Sequence, residues 1–397
     1  MSERPARILP VIVASQLAGS SPWFAGNAVL PDLQSRLGLP DHALGHITAA
    51  VQLGFIAGTL VFAILAISDR YSPRVTFFVC SLAGAFCNAG TYWAGGEAPL
   101  LVARFATGFF LAGIYPVGMK IASGWFRQDL GRALGFLVGA LVLGTALPHL
   151  IRGLGQTLPW EAVMLSVSAI AALGGAMMFA LVPDGPFLVA GSKFDPGALA
   201  AIFRSPAFRA SSFGYFGHMW ELYAFWAFVP PALVAYATQA GVSGLNISML
   251  AFAVIAAGGL GCVVGGHLSL RLGSGRVAFA QLAMSGLCCL ASPLMFDAAP
   301  ALFVAFLVFW GIVVVGDSPQ FSALNARYAP LAQVGSALTI ANCIGFGISI
   351  LSIQLLNIAS GTIPARYLFL LLVPGPVLGL LALRPLLAAN SNPGPAE

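Results

Sequence analysis

Hydrophobic and polar residues alternate along this chain in long blocks. Runs of mostly apolar residues, each about as long as the ~20 residues that cross a bilayer as a helix, are separated by short polar linkers. We therefore predict twelve membrane-spanning helices, numbered spans 1 to 12, near 8–30, 43–67, 75–94, 99–122, 132–154, 161–182, 208–236, 246–269, 277–295, 300–325, 335–358 and 365–387.

Lysine and arginine are concentrated in the N-terminal segment and in every second linker. Linkers enriched in these residues face the cytoplasm. We expect a multi-pass protein of a bacterial inner membrane with both termini in the cytoplasm. The longest polar linker, 184–207, would lie on the cytoplasmic side between an N-terminal six-helix bundle, 1–183, and a C-terminal one, 208–397.

Composition excludes several other classes of protein. Of 397 residues, 59% are hydrophobic and only 8% are charged, too few for a soluble domain. The net charge of +5 comes from basic residues scattered singly in linkers, which does not indicate a nucleic-acid partner. The six cysteines lie in apolar runs without metal-ligand spacing, and no nucleotide-binding loop or nucleophile motif is present. We expect neither enzyme activity nor a cofactor, and energy from an ion gradient.

The two halves of the sequence repeat each other. Three residues of span 4 recur 203 positions later in span 10: Gly108 as Gly311, Gly113 as Gly316 and Pro116 as Pro319. Pro31 at the end of span 1 corresponds to Pro230 in span 7, 199 positions later. Such offsets indicate duplicated six-helix bundles, and transporters built from repeats place their substrate site near the membrane midplane.

Short motifs in the linkers and spans resemble those of one transporter family. They are LAISDRYSPR at 65–74, its second-half copy GHLSLRLGSGR at 266–276, and RFATG at 104–108. On these motifs the chain is identified as a member of the major facilitator superfamily. Two further segments, YPVGMKIASGWF at 115–126 and GDSPQFSAL at 316–324, resemble its nitrate-, nitrite- and cyanate-porter-like branch.

The resemblance implies an all-α membrane protein with twelve transmembrane helices in two pseudo-symmetric six-helix bundles, the major facilitator fold. It also implies that spans 1, 4, 7 and 10 line a central cavity. Charged residues in and beside the motifs would then form gating latches: Asp69, Arg70, Arg74, Arg132, Arg271 and Arg276. Leu270 occupies the position where the first motif has its acid, so we expect the first-half latch to matter more.

Ionisable residues inside span 7 are candidates for proton coupling. His218 and Glu221 lie one helical turn apart in an aromatic segment. Charged groups at bilayer depth are costly and are associated with function. Histidine titrates near neutrality, and a carboxyl group among aromatic rings loses hydration, so either could bind and release a proton. The alternative is that Glu221 forms a purely structural ion pair with a cation of the other half.

Span 10 contributes Asp317 and Gln320, one turn apart. Gly316 and Pro319 weaken the helix beside them, and backbone groups freed there can join a binding site if they face a cavity. Asp317 is therefore a second candidate for proton or cation coupling. The alternative is a carboxylate that only caps a broken helix.

Span 1 carries a polar stripe with helical spacing, Gln16, Ser20, Trp23 and Asn27. The stripe faces either the cavity or a neighbouring helix, because polar groups cannot face lipid unsatisfied.

Arg104 in span 4 has two alternative roles. Its guanidinium could clamp a planar anion through two parallel hydrogen bonds, or it could have a structural or proton-relay role near the outer boundary.

These residues predict a secondary active transporter that moves a small anionic or polar organic solute across the inner membrane by alternating access, coupled to protons. The candidate substrate-binding residues are Gln16, Trp23, Asn27, Arg104, Tyr115, Trp220, Tyr223 and Gln320. Proton-antiport efflux of aromatic or amphipathic compounds, uptake of an aromatic metabolite such as a vitamin, and a non-transporting membrane sensor remain alternatives. We expect a monomer whose partners are its solute, protons and membrane lipid.

Overall fold

The computed structural model describes residues 5–126, 130–155, 158–188, 195, 197, 202–330 and 333–390, and within these ranges all regular secondary structure is helical. The predicted all-α fold is therefore confirmed. In the first half, spans 1 to 6 comprise Ile8–Ser20 with Ser21–Phe24 and Ala25–Ala28, Ala43–Ile64, Pro73–Ala89 with Gly90–Trp93, Glu97–Leu111 with Tyr115–Trp125, Leu130–Leu154, and Trp160–Leu181. Two short helices, Leu30–Leu37 and Ile67–Arg70, precede and follow span 2.

In the second half, spans 7 to 12 comprise Pro206–Ala240, Ile247–Leu272, Ser274–Met295, Pro300–Gly316 with Ser318–Tyr328, Val334–Ala359, and Ala365–Leu368 with Phe369–Leu372 and Pro374–Asn390. All the spans except span 7 are long and apolar enough to cross a membrane by length and composition. Span 7 is the longest helix described, with 35 residues, but it contains histidine, glutamate and two serines. In the predicted linker 184–207, residues 189–194, 196 and 198–201 lie outside the described residues.

Spans 4 and 10 are interrupted at equivalent positions. Span 4 begins at Glu97 and ends at Trp125, and span 10 begins and ends 203 residues later, at Pro300 and Tyr328. In both spans a proline lies in the first turn of the second helix. Proline has no N–H to continue the preceding hydrogen-bond ladder, which explains why each helix stops just before it. The weak point that Gly316 and Pro319 predict in span 10 is thus a break in the structure, and span 4 is interrupted at the equivalent position.

Glycines allow close helix contacts at equivalent places in the two halves. A Cβ atom at Gly58 of span 2 would lie 2.3 Å from the carbonyl oxygen of Phe109 in span 4. A Cβ atom at Gly261 of span 8 would lie 1.9 Å from the carbonyl oxygen of Ile312 in span 10. Small residues at such contacts let helix backbones pack directly in a membrane, so neither position tolerates a side chain.

The chain forms two compact units, one of residues 1–191 with 227–256 and the other of residues 192–226 with 257–397. In the first unit, the start of span 8 packs on the end of span 5. The Asn246 Nδ2 donates to the carbonyl oxygen of Gly153 at 2.8 Å, and its Oδ1 accepts from the N–H of Met249 at 3.0 Å. A Cβ atom at Gly153 would lie 2.9 Å from the Met249 nitrogen. Asn246 thus caps span 8 and holds it to span 5.

Large apolar side chains cover much of the exterior. Phe86, Leu154 and Ile358 each expose more than 70% of their surface, as do others along the spans. A soluble protein could not hide so many apolar groups from water, whereas lipid is a suitable solvent for them. The exterior therefore fits a protein embedded in a membrane.

Candidate functional site

The first helix is broken at its centre, and the break exposes backbone carbonyls inside the first unit. The α-helix Ile8–Ser20 changes to a 3₁₀ helix at Ser21–Phe24. Pro22 has no N–H to donate, and the Ser21 hydroxyl donates instead to the carbonyl of Ala18 at 2.7 Å. The carbonyl of Pro22 accepts from the N–H of Ala25, and it and the carbonyl of Trp23 also accept from a donor of another span.

Arg104 of span 4 is that donor. Its Nη2 donates to the carbonyl oxygens of Pro22 at 2.7 Å and Trp23 at 2.9 Å, and its Nη1 donates to Asn88 Oδ1 at 2.6 Å. The side chain is fully buried. Three neutral oxygens therefore hold the guanidinium, which has no carboxylate within ion-pair distance among the described residues.

Asn88 extends this network to span 6. Its Nδ2 donates to Ser168 Oγ at 3.0 Å and to the carbonyl of Met164 at 3.2 Å. Arg104 thus ties span 4 to spans 1 and 3 directly and to span 6 through Asn88. These hydrogen bonds are the contacts that a structural role of Arg104 requires. A contact between Arg104 and the solute stays a prediction.

The polar stripe of span 1 is buried within the first unit. Gln16 Nε2 donates to Ser20 Oγ at 2.9 Å, and Asn27 Nδ2 donates to Thr48 Oγ1 of span 2 at 2.8 Å. The rings of Trp23 and Phe55 pack with their centroids 4.9 Å apart. At least part of the stripe therefore serves helix packing, and its predicted contact with solute stays a prediction.

In the second unit, Glu221 is enclosed by three donors. Ser285 Oγ donates to its Oε2 at 2.6 Å, while Trp310 Nε1 at 2.7 Å and Cys289 Sγ at 3.4 Å donate to its Oε1. The donors come from spans 9 and 10, and Glu221 is 1% exposed. Within the second unit, no basic group of the described residues lies within ion-pair distance of Glu221, and an ion pair with the other half stays an alternative.

His218 and Asp317 form a buried pair between spans 7 and 10. The His218 Nδ1 and Asp317 Oδ1 atoms are 2.8 Å apart, and both side chains are 1% exposed. The approach does not have the angles of a hydrogen bond, and Asp317 Oδ2 and His218 Nε2 have no hydrogen-bond partner. The rings of Tyr215 and Phe321 flank the imidazole at centroid distances of 6.0 Å and 5.7 Å. Two of the three predicted coupling residues are thus in direct contact.

Asp317 lies at the break in span 10, between Gly316 and Ser318. Its carbonyl accepts from the N–H of Phe321 at 2.9 Å, but its side chain makes no capping hydrogen bond to the following helix. Capping of the broken helix therefore stays an alternative role for Asp317. Gln320, one turn further on, is 3% exposed.

The remaining candidate substrate residues have varied surroundings. Trp220 Nε1 donates to the carbonyl of Leu371 in span 12 at 3.1 Å. The Tyr223 ring packs against Trp226 and Phe346, with centroids 5.4 Å and 5.1 Å apart. Tyr115 begins the second helix of span 4 and is half-buried. Their roles in substrate binding stay predictions.

The predicted latch residues are only partly paired. Asp69 forms an ion pair with Lys120 of span 4, whose Nζ also donates to the carbonyl of Ser68 at 2.7 Å. The guanidinium groups of Arg74 and Arg132 lie over the rings of Phe179 and Phe136. Within the described part of the chain, none of the five predicted latch arginines is within ion-pair distance of a carboxylate: Arg70, Arg74, Arg132, Arg271 and Arg276.

Sequence reasoning missed the partners of the buried charges. Gln281, Ser285, Cys289 and Ser292 of span 9 are all buried, and they recur in the sequence every three or four residues. That spacing places them on one helical face. The same test that selected the stripe of span 1 would have selected this one, whereas Trp310 and Asn88 carry no comparable signal.

Comparison with known proteins identifies one matching family model and several relatives that are transporters or pumps. Residues 12–353 match the sequence model of the Major Facilitator Superfamily. A hexuronate transporter of Bacillus subtilis is 22% identical over 66% of this chain and 64% of its own length. An efflux pump of Gibberella moniliformis is 36% identical, but the match spans 28% of this chain and 18% of the pump. The chain thus matches less than two thirds of the length of these relatives.

Solved structures with the same fold cover almost all of the chain. The human organic anion transporter MFSD10 (TETRAN) superposes with a TM-score of 0.67 at 15% identity, over 96% of this chain and 100% of its own. A bacterial homologue of the human lysosomal transporter Spinster superposes with a TM-score of 0.69 at 15% identity, over 100% of both chains. At this identity the likeness shows the fold alone.

Proposed function

Because the chain belongs to the Major Facilitator Superfamily, a family of transporters and not of enzymes, we propose that it is a secondary active transporter working by alternating access. It acts as a monomer in a bacterial inner membrane with both termini in the cytoplasm, its two bundles being 1–183 and 208–397. The transported solute is a small anionic or polar organic molecule, and transport is coupled to protons.

The observation that carries the coupling proposal is the buried pair of His218 and Asp317. A single proton held by the two groups gives either an imidazolium beside a carboxylate or a neutral pair. A second proton leaves a net positive charge, and removal of the first proton leaves a net negative one. In a site with little water each change of one charge is costly, so each protonation state favours a different arrangement of spans 7 and 10.

Glu221 is proposed as the third member of the coupling group. It lies three residues after His218 on the same helix, and its donors belong to spans 9 and 10. Protonation would convert an acceptor of three hydrogen bonds into a group that must donate one. Glu221 therefore links its own charge to the packing of span 7 on spans 9 and 10.

The anionic or polar character of the solute is supported by the partial match to a hexuronate transporter. The contact residues proposed for it are Gln16, Trp23, Asn27, Arg104, Tyr115, Trp220, Tyr223 and Gln320. Arg104→Lys keeps the charge but loses the planar fork. Unchanged affinity of this variant for the solute would remove the anion-clamp role of Arg104.

A second candidate is efflux of aromatic or amphipathic compounds. The packing of Tyr223 with Trp226 and Phe346 and the partial match to an efflux pump favour it. Uptake of an aromatic metabolite would use the same rings. A screen of ligands by thermal shift separates these solute classes, since a ligand that binds only the folded protein raises its stability.

The coupling proposal is tested with purified protein in liposomes under an imposed pH gradient, using a solute found in that screen. Asp317→Asn should abolish accumulation of the solute but preserve exchange across liposomes without a gradient. Asp41→Asn, which changes an exposed carboxylate in a linker, is the matched control and should accumulate solute normally. Normal accumulation by Asp317→Asn would contradict the role of Asp317 in proton coupling. If the protein is a sensor that transports nothing, the wild type and both variants would show neither accumulation nor exchange of the solute.

A further inference from the structure

Spans 7 and 10 meet in three successive layers. Counted from the start of span 7, the layers are Ser211 with Asn325, Gly214 with Phe321, and His218 with Asp317. Members of each helix recur every three or four residues, so they lie on one helical face. Asn325 Oδ1 accepts from the hydroxyls of Ser211 and Ser212. The first and third layers are therefore polar, and the second is not.

The second layer is filled by the ring of Phe321. A Cβ atom at Gly214 would lie 2.7 Å from Cε1 of Phe321, so the ring packs directly on the backbone of span 7. The same ring lies 5.7 Å from the imidazole of His218 and 6.4 Å from the ring of Tyr215, between centroids. Phe321 is 0% exposed. Hydrocarbon thus separates the two polar layers.

The pair in the third layer has no hydrogen-bonded route to its surroundings. Within the described part of the chain, the side chains of His218 and Asp317 have no hydrogen-bond partner. The hydroxyl of Tyr215, the nearest polar group of the preceding turn, donates instead to Asn342 Oδ1 of span 11 at 3.2 Å. Protons cross membrane proteins along relays of polar groups. In this structure, no such relay joins the pair to the polar layer of Asn325.

The first half has the reverse order of layers. With offsets of 199 residues for span 1 and 203 for span 4, the equivalent positions are Ile12 with Ala122, Ser15 with Gly118, and Gly19 with Ile114. Its first and third layers therefore carry no ionisable or amide group. In the middle layer, glycine replaces Phe321, and Gln16 Oε1 would lie 2.2 Å from a Cβ atom at Gly118. The ring is thus present only in the half that has polar groups on both sides of it.

We infer that Phe321 is a seal that closes the pair of His218 and Asp317 to the cytoplasmic side of the proposed topology, and that movement of its ring opens the pair to that side. The inference rests on the proposed function, because a coupling pair must exchange protons with one side at a time. A pair that stayed open to the cytoplasm would release there every proton taken up from the other side. The gradient would then be lost without transport.

Other titratable groups also face Asp317. They are Glu221 of span 7 and Cys262 of span 8. Glu221 lies three residues beyond His218, on the side away from Phe321. Removal of the Phe321 ring therefore opens the route toward Asn325 without removing a titratable group.

The experiment measures proton flux into liposomes that contain the purified full-length protein and a pH-sensitive dye. A pH gradient is imposed without solute, and potassium with valinomycin balances the charge. Phe321→Ala should dissipate the gradient about tenfold faster than the wild type. The vacated space lies between polar groups and would hold water, whereas an apolar cavity stays dry. Phe321→Leu keeps a large apolar side chain and should remain tight.

Phe303→Ala is the matched control. Phe303 is another phenylalanine of span 10, is 1% exposed, and packs on the ring of Phe296 with centroids 5.3 Å apart. This variant loses the same buried ring far from the pair and should remain tight. Equal leaks from Phe303→Ala and Phe321→Ala would show loosened packing only and would overturn the seal.

A double variant tests the route of the leak. Asp317→Asn added to Phe321→Ala should stop the leak, because the protons pass through the pair, and a persistent leak would overturn the inference. If Phe321→Ala does not fold, Gly214→Ala displaces the same ring from span 7 and should leak. A tight Gly214→Ala would then refute the seal.

The seal and the coupling role fail separately. If Asp317→Asn loses driven accumulation but Phe321→Ala is as tight as the wild type, the coupling role stands and the seal is refuted. If Asp317→Asn accumulates solute normally but stops the leak of Phe321→Ala, the seal stands and the coupling role is refuted.

Discussion

The two halves of this protein bury charges of opposite sign in corresponding places. The first half buries the guanidinium of Arg104, whereas the second half has the apolar Leu307 at the equivalent position, 203 residues later. With the offset of 199 residues that relates spans 1 and 7, Glu221 corresponds to Pro22. The carbonyl of Pro22 accepts from Arg104, and the carboxylate of Glu221 accepts from Trp310. One fold therefore supports either a buried cation or a buried acid.

The coupling pair shows the same contrast. His218 corresponds to Gly19 and Asp317 to Ile114, and a Cβ atom at Gly19 would lie 2.8 Å from Cγ2 of Ile114. The contact between spans 1 and 4 thus recurs between spans 7 and 10 with ionisable groups in place of apolar ones. Since the first half packs well without them, the fold does not require His218 and Asp317.

The largest loss of stability is expected when Arg104 is replaced by leucine, the residue at the equivalent position 307 of the second half. Arg104→Leu removes the donor of three hydrogen bonds and leaves the carbonyls of Pro22 and Trp23 and the Oδ1 of Asn88 buried without it. We expect the free energy of unfolding to fall by about 4 kcal/mol, as for other buried charged networks that lose one member. Denaturant titration in detergent measures it, and a loss below about 1 kcal/mol would show that Arg104 is not the structural centre of the first half.

Glu221→Gln should have an intermediate effect. The amide keeps one acceptor oxygen, so its N–H groups would face either Ser285 or the donors Trp310 and Cys289 on the other side. We therefore expect the free energy of unfolding to fall by about 2 kcal/mol. Proton-driven accumulation should be lost while downhill exchange continues. Glu97→Gln, at a partly exposed glutamate, is the control. Accumulation against a pH gradient by Glu221→Gln would exclude Glu221 from coupling.

The smallest effect on stability is expected for the double variant His218→Gly with Asp317→Ile, which copies the first half. Replacing a buried polar pair by apolar packing is often nearly neutral, and glycine in a helix costs about 1 kcal/mol. The double variant should unfold within about 1 kcal/mol of the wild type but lose coupling. Asp317→Ile alone, which leaves His218 buried without its partner, should be less stable than the double variant. Additive effects would contradict the pairing.

The sequence predicted the helices and the interruption of span 10 well, because both depend on local composition. Apolar runs locate the spans, and Gly316 with Pro319 locates the break that holds Asp317. Contacts across helices were harder to predict. The hydrogen bonds of Glu221 depend on how spans 9 and 10 are rotated and how far they are shifted along their axes, which is set by packing of many side chains. Asn88 and Trp310 were missed for this reason.

The bond between Asn246 and Gly153 also sets an order of events during synthesis. The two residues are separated by 93 positions, and chains are made at roughly 5–20 residues per second. Roughly 5 to 20 seconds therefore pass between the synthesis of Gly153 and the synthesis of Asn246. During that interval spans 1 to 5 exist without the contact from span 8 that belongs to their compact unit.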